Sequence, residues 1–174
     1  TNTYLTSLEK LYGSTSSTSS SSTGTSLANG IASLESALSS LASTPSSASL
    51  QSNVVSALDD VTSQLRETSS GIQKLRSNAD QDISSSINSV NTDLQNIADL
   101  NAEIKQTAAA GQSTADLEDQ RNTALQDVAS KMNVSYYTAS NGDLQVYTTT
   151  GQALVDSSAH KISYTSAANV SSST

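Results

Sequence analysis

The chain has 174 residues, a formal charge of −8, 34% hydrophobic and 3% aromatic residues, and no cysteine. That length allows one or two domains, and so little apolar material cannot fill a thick globular core, although it can supply narrow seams between helices. The basic residues are scattered singly, which argues against a nucleic-acid partner and an anionic membrane surface, and without cysteine there are no disulfides or thiolate metal sites.

No apolar run is long enough to span a bilayer, and no secretory signal pattern opens the chain. The first residue is Thr1 and not Met, so the chain is expected to be a processed or truncated product. Residues 2–12 place Tyr4, Leu5, Leu8, Leu11 and Tyr12 on one helical face. This segment reads as the tail of a longer helix that Gly13 terminates. The Ser/Thr tract at 14–26 can bury nothing and reads as a flexible surface loop. Helix 27–43 follows, with Leu27, Ile31, Leu34, Leu38 and Leu41 in steps of three and four and Ser26 as its N-cap. Thr44-Pro45 stops it, because a residue before proline is pushed out of the helical region.

The longest element should run from 47 to 110. Its apolar residues recur from Leu50 to Ile104 with helical spacing, and Gly71 is its only glycine. A helix of roughly 60 residues would be about 90 Å long, far beyond the roughly 8–20 residues of ordinary globular helices. Leu75, Ala79, Ile83 and Ile87 are spaced by steps of four, a stutter in the stripe. The two flanking helices should therefore hand over their contacts near Ala79. Gly71 marks either a bend or close contact, or else a tolerated surface glycine. Gly111 ends the helix, Ser113 with Asp116 forms a capping box, and a helix at 114–132 turns Leu117, Ala124, Leu125, Val128 and Met132 inward. Short links imply antiparallel neighbours.

After Asn133 the apolar period changes to two. Strands are expected at 134–137, 144–148, 153–155 and 161–165, and Asn141-Gly142 signals a type I′ hairpin. Residues 166–174 read as a frayed tail. The fold class is thus mainly α, an elongated antiparallel helical bundle on one very long helix with a small C-terminal antiparallel β element. Residues 1–132 should form the helical domain, and 133–174 the start of a β domain that is cut short.

Catalytic chemistry finds no foothold. His160 is the only histidine and reads as a solvated loop residue near Asp156. Asp80 and Asp82 point to different sides of a helix. Asp116, Glu118 and Asp119 open a helix, where negative charge complements the dipole. Asn141-Gly142-Asp143 matches a fragment of a calcium loop without its remaining ligands. No catalytic, cofactor-binding or metal residues are assigned, no cofactor is expected, and the chain is read as not an enzyme.

One resemblance adds to this reading. The run Ile97–Ile104 (IADLNAEI), an Ala/Gly turn, Asp116–Arg121 (DLEDQR), the alternating strand from Val134, Asn141-Gly142, and Gly151–Val155 (GQALV) follow one another as in the flagellar hook-associated protein 1 family. Leu41–Pro45 is similar to that family's interhelical turn, and the likeness covers about 27–164. Glu118 departs from the pattern, which tends to be apolar there. The resemblance implies a secreted structural subunit of the bacterial flagellum, exported by the flagellar type III system and lacking both terminal segments here. It would form a ring of identical copies between hook and filament. Its implied partners are its own copies, the hook protein and the adjacent junction protein, with an export chaperone reached through the missing C-terminal segment. It also implies that Asp116, Asp119 and Arg121 form structural pairs, Arg121 with Glu118 or with the long helix. The competing readings are flagellin or the second junction protein, and a coiled-coil adhesin or type III translocator acting as a binding module.

Overall fold

The computed structural model describes residues 2–13 and 26–167. The loop expected at 14–26, apart from Ser26, and the tail from 168 onward lie outside the described residues. Four helices, α1 (Asn2–Tyr12), α2 (Leu27–Ser43), α3 (Ala48–Ala109) and α4 (Ala115–Lys131), precede three strands, β1 (Val134–Thr138), β2 (Leu144–Thr148) and β3 (Ala153–Val155). The chain is mainly α, built on one very long helix, with a small antiparallel sheet.

The helix ends follow from local chemistry. Ser26 lies in extended backbone, and its Oγ accepts the Asn29 N–H at 3.3 Å, an N-cap for α2. Ser47 does the same for α3 through Leu50 N at 3.4 Å. At the other end of α3, Gly111 takes a φ of +71°. Gln112 N then donates to Thr107 O at 3.1 Å and Gly111 N to Ala108 O at 2.9 Å. This Schellman pair satisfies carbonyls that the helix would otherwise leave open. The expected Ser113–Asp116 box is not the cap of α4. Thr114 holds the N-cap position, and its hydroxyl donates to Glu118 Oε1 at 2.7 Å, leaving the backbone uncapped by a side chain.

The chain divides into two compact units, with the division on α3 between Ala79 and Asp80. In the first, α2 lies against α3 so that the Cα of Gly30 faces Val61 and Gln64. Val61 is the one buried hydrophobic side chain of this unit among the described residues. Leu27, Leu34 and Leu41 are half-buried, whereas Ile31 and Leu38 of α2 and Val55, Leu58 and Leu65 of α3 are about half exposed. The apolar stripe is therefore wider than the seam it closes.

Gly71 is explained by α1. A Cβ at this position would overlap both methyls of Leu11, so glycine lets α1 sit directly on the α3 backbone. Gly71→Ala should strengthen α3 locally, by up to about 1 kcal/mol, while displacing Leu11. Amide exchange should slow around residue 71 and quicken at Leu8–Tyr12; no change at Leu8–Tyr12 would show that the contact does not hold α1.

The second unit, Asp80–Ser166, contains the true core. Val90, Leu94 and Ile97 of α3, Ala124, Leu125 and Val128 of α4, and Leu144, Val146, Leu154 and Val155 of the sheet form one buried cluster. Strand order is β1-β2-β3, both pairs antiparallel. Alternation on β2 sends Leu144 and Val146 to the helices and Gln145 and Tyr147 to the outer face.

Both hairpins use one turn design, and it is not type I′. Ala139 N donates to Asp143 O and Gly142 N to Ala139 O; in the second hairpin Thr148 N donates to Gln152 O and Gly151 N to Thr148 O, all between 2.8 and 2.9 Å. Only the glycines have positive φ, +85° at Gly142 and +87° at Gly151. A type I′ turn would need Asn141 there as well. The geometry is a type I turn closed by a left-handed glycine.

Residues 161–165 form no strand. Asn91 of α3 instead supplies Ile162 with both partners that a neighbouring strand would have given: its Nδ2 donates to Ile162 O at 2.9 Å, and Ile162 N donates to its Oδ1 at 2.8 Å. The Tyr164 hydroxyl donates to Asp80 farther along.

Candidate functional site

The same device recurs ten residues along α3 and is buried there. Asn101 is 4% exposed. Its Nδ2 donates to Leu144 O at 2.9 Å, and its Oδ1 accepts both Leu144 N at 2.9 Å and the Arg121 guanidinium at 2.9 Å. Arg121, 8% exposed on α4, also donates to Gly142 O at 3.1 Å. One asparagine and one arginine thus tie α3, α4 and the hairpin tip together. Buried polar groups of this kind are tolerable only when satisfied. Arg121 Nε is the exception, buried with no protein partner.

Asp143 extends the lock towards the surface. Its side chain is 8% exposed and faces Lys105 of α3 at 3.0 Å. Asn141 Nδ2 donates to the same carboxylate at 2.7 Å, and Asp143 N returns a bond to Asn141 Oδ1 at 3.1 Å. Asn141-Gly142-Asp143 therefore acts as a clasp on the long helix. Its one carboxylate is neutralised by a lysine, which is the opposite of what a calcium ligand needs.

Of the two pairings considered for Arg121, the one to the long helix is realised, while Glu118 is engaged by Thr114. Asp116 and Glu118 lie in the first turn of α4. Asp80 receives Tyr164. Burial pushes the Asp93 carboxyl above its ordinary value, with Lys131 at 3.8 Å pulling the other way. Asp93 lines a polar groove of about 380 Å³ between α3 and α4, with Asp99 and Asp127. Among the described residues, no group of three His, Cys, Asp or Glu side chains could hold a metal ion. No described helix is long and apolar enough to cross a membrane.

His160 and Asp156 do meet, in the turn after β3, with Nε2 and Oδ2 3.0 Å apart. The hydrogen bond from His160, then that from the Ser158 N–H, lowers the Asp156 pKa from 3.8 to about 2. A folded-state pKa below the unfolded one means that this contribution to stability is complete above 3.8 and is lost as pH falls through about 2. His160→Ala should move the Asp156 midpoint back towards 3.8, as followed by NMR titration of the carboxyl carbon. A midpoint that stays near 2 would contradict the pairing.

The hub residues come from separate stretches of sequence. Asn101 belongs to the Leu100–Ile104 run, Arg121 to the Asp-Gln-Arg helix and Gly142 to the hairpin signal, the same stretches that carry the family likeness. What locality hid was their convergence: two partners were open for Arg121, Glu118 and the long helix, and nothing pointed to Gly142 of the hairpin.

Comparison with known proteins supports this correspondence. The family model described as flagellar hook-associated protein FlgK helical domain matches residues 12–174. The fold is similar to that of the solved flagellar hook junction protein FlgK from Burkholderia pseudomallei, with a TM-score of 0.75 and 24% sequence identity. That alignment covers 92% of this chain and 27% of the solved one, so the chain spans about a quarter of that protein's length. No curated protein matches.

Proposed function

We propose that this chain, which belongs to the family of the flagellar hook-associated protein FlgK helical domain, serves as part of a structural subunit that joins hook to filament in the bacterial flagellum. The observation that carries this is the family match across residues 12–174. Two physical features support it. The hub fixes α3, α4 and the hairpin as one mechanical piece, as a load-bearing subunit requires. The exposed apolar residues of α2 and α3, including Ile31, Leu38, Val55 and Leu58, offer a surface on which further helices pack in the assembly.

In this reading the subunit is secreted by the flagellar type III route and acts outside the cell. Its partners are neighbouring copies of itself in a ring, the hook protein and the adjacent junction protein. An export chaperone acts on segments beyond this chain. The chain has no catalytic role, and its charged groups serve packing and solubility.

Removing the encoding gene from the source bacterium tests the proposal. Cells should keep hooks but lose attached filaments, with filament protein released into the medium, and the intact gene should restore them. Normal filaments on the deleted strain would overturn it.

A further inference from the structure

The outer face of the sheet carries an arrangement that the hub does not use. Tyr137 of β1 and Tyr147 of β2 lie on a diagonal across the strand pair, since Tyr137 is opposite Gln145 and Ser135 is opposite Tyr147. Their rings are stacked, 5.8 Å between centroids and 4° from parallel. Both hydroxyls donate to one atom, Gln145 Oε1, at 2.6 and 2.8 Å. Sharing an acceptor brings the hydroxyl ends of the rings together, and the carbons ortho to those hydroxyls with them. Tyr137 is 53% exposed, so a soluble oxidant can reach the pair. This is the one aromatic ring contact among the described residues. Neighbouring Tyr136 is opposite Val146, on the sheet's other face.

We propose that Tyr137 and Tyr147 form an oxidative cross-linking site, at which a haem-peroxidase-type oxidant with hydrogen peroxide joins them as dityrosine. Each phenol gives up one electron and one proton. The two phenoxyl radicals couple at the ortho carbons to form a carbon–carbon bond, and the coupled rings return to aromatic phenols by moving each ortho hydrogen to oxygen. The two electrons and two protons removed convert one peroxide into two waters. Oxygen is neither gained nor lost by the protein. The product is a covalent staple between β1 and β2 in a chain that has no cysteine. A cross-link that closes the hairpin restricts the unfolded chain and so favours the folded sheet.

Dilute full-length chain treated with a haem peroxidase and hydrogen peroxide gives the test. Denatured product is then cut at aspartate, because Asp143 separates the two tyrosines. The monomer should acquire dityrosine fluorescence, and the fragments bearing Tyr137 and Tyr147 should stay joined, lighter by two hydrogens. Tyr137→Phe should abolish this species in the monomer, with an unchanged circular dichroism spectrum, and Tyr136→Phe should leave it intact. Dityrosine confined to covalent dimers, an undiminished yield in Tyr137→Phe, or its loss in Tyr136→Phe would each overturn the assignment.

Discussion

Asn101→Ala should destabilise the second unit by about 3–5 kcal/mol, because it orphans several groups at once. The Leu144 N–H and C=O both lose their partner, and Arg121 keeps only Gly142 O. Each buried group left unsatisfied costs about 1–3 kcal/mol, and the helix gains only a few tenths from alanine. Chemical denaturation followed by tyrosine fluorescence measures the loss, and amide exchange at Leu144 locates it. Asn101→Asp makes an informative companion. It keeps an acceptor for Leu144 N and Arg121 but loses the donor to Leu144 O, so it should fall between alanine and the natural residue. A cost below about 1 kcal/mol for Asn101→Ala would mean that water replaces the asparagine and that the hub is no lock.

Leu94→Ala should cost a similar amount, about 2–5 kcal/mol, by a different route. Leu94 is 1% exposed within the cluster that joins α3 to α4 and the sheet. The seam is narrow, and the neighbouring Ile97, Val128, Val146 and Val155 are already buried, so little can move in to fill the space. Thermal unfolding should show the drop. Leu58→Ala is the control: Leu58 is 49% exposed and should lose under about 1 kcal/mol. Equal losses at the two positions would contradict the placement of the core in the second unit.

These two substitutions divide what the sequence could and could not reveal. Helical spacing and end signals located α2 and α3 to within a residue, because Ser26, Pro45 and Gly111 act on the backbone beside them. The apolar positions of α4 were equally legible: Ala124, Leu125 and Val128 are buried as their spacing implied. The stripe of the first unit was legible as apolar but not as covered, and Ile31 and Leu38 remain half exposed. Periodicity gives a direction and does not supply the partner.

The remaining differences have one cause. Residues 161–165 alternate like a strand, yet their partner is a side chain on a helix. Asn141-Gly142 does mark a hairpin, but positive φ is confined to the glycine, so the turn differs from the one its dipeptide favours. Asn101 and Arg121 look like ordinary polar helix residues until α3, α4 and β2 are brought together. Polar pairing across forty residues leaves no local trace. The family resemblance implied a structural pair for Arg121, and the structure supplies its partners, Asn101 and Gly142, which hold three elements in one register.

The proposed role puts this protein at one place, the boundary between hook and filament. Electron cryo-tomography of the source bacterium, with a gold-labelled tag on this protein, tests it most directly. A single narrow band of label should appear where the hook ends and the filament begins. Label along the length of the filament, or on the cell surface away from flagella, would contradict it.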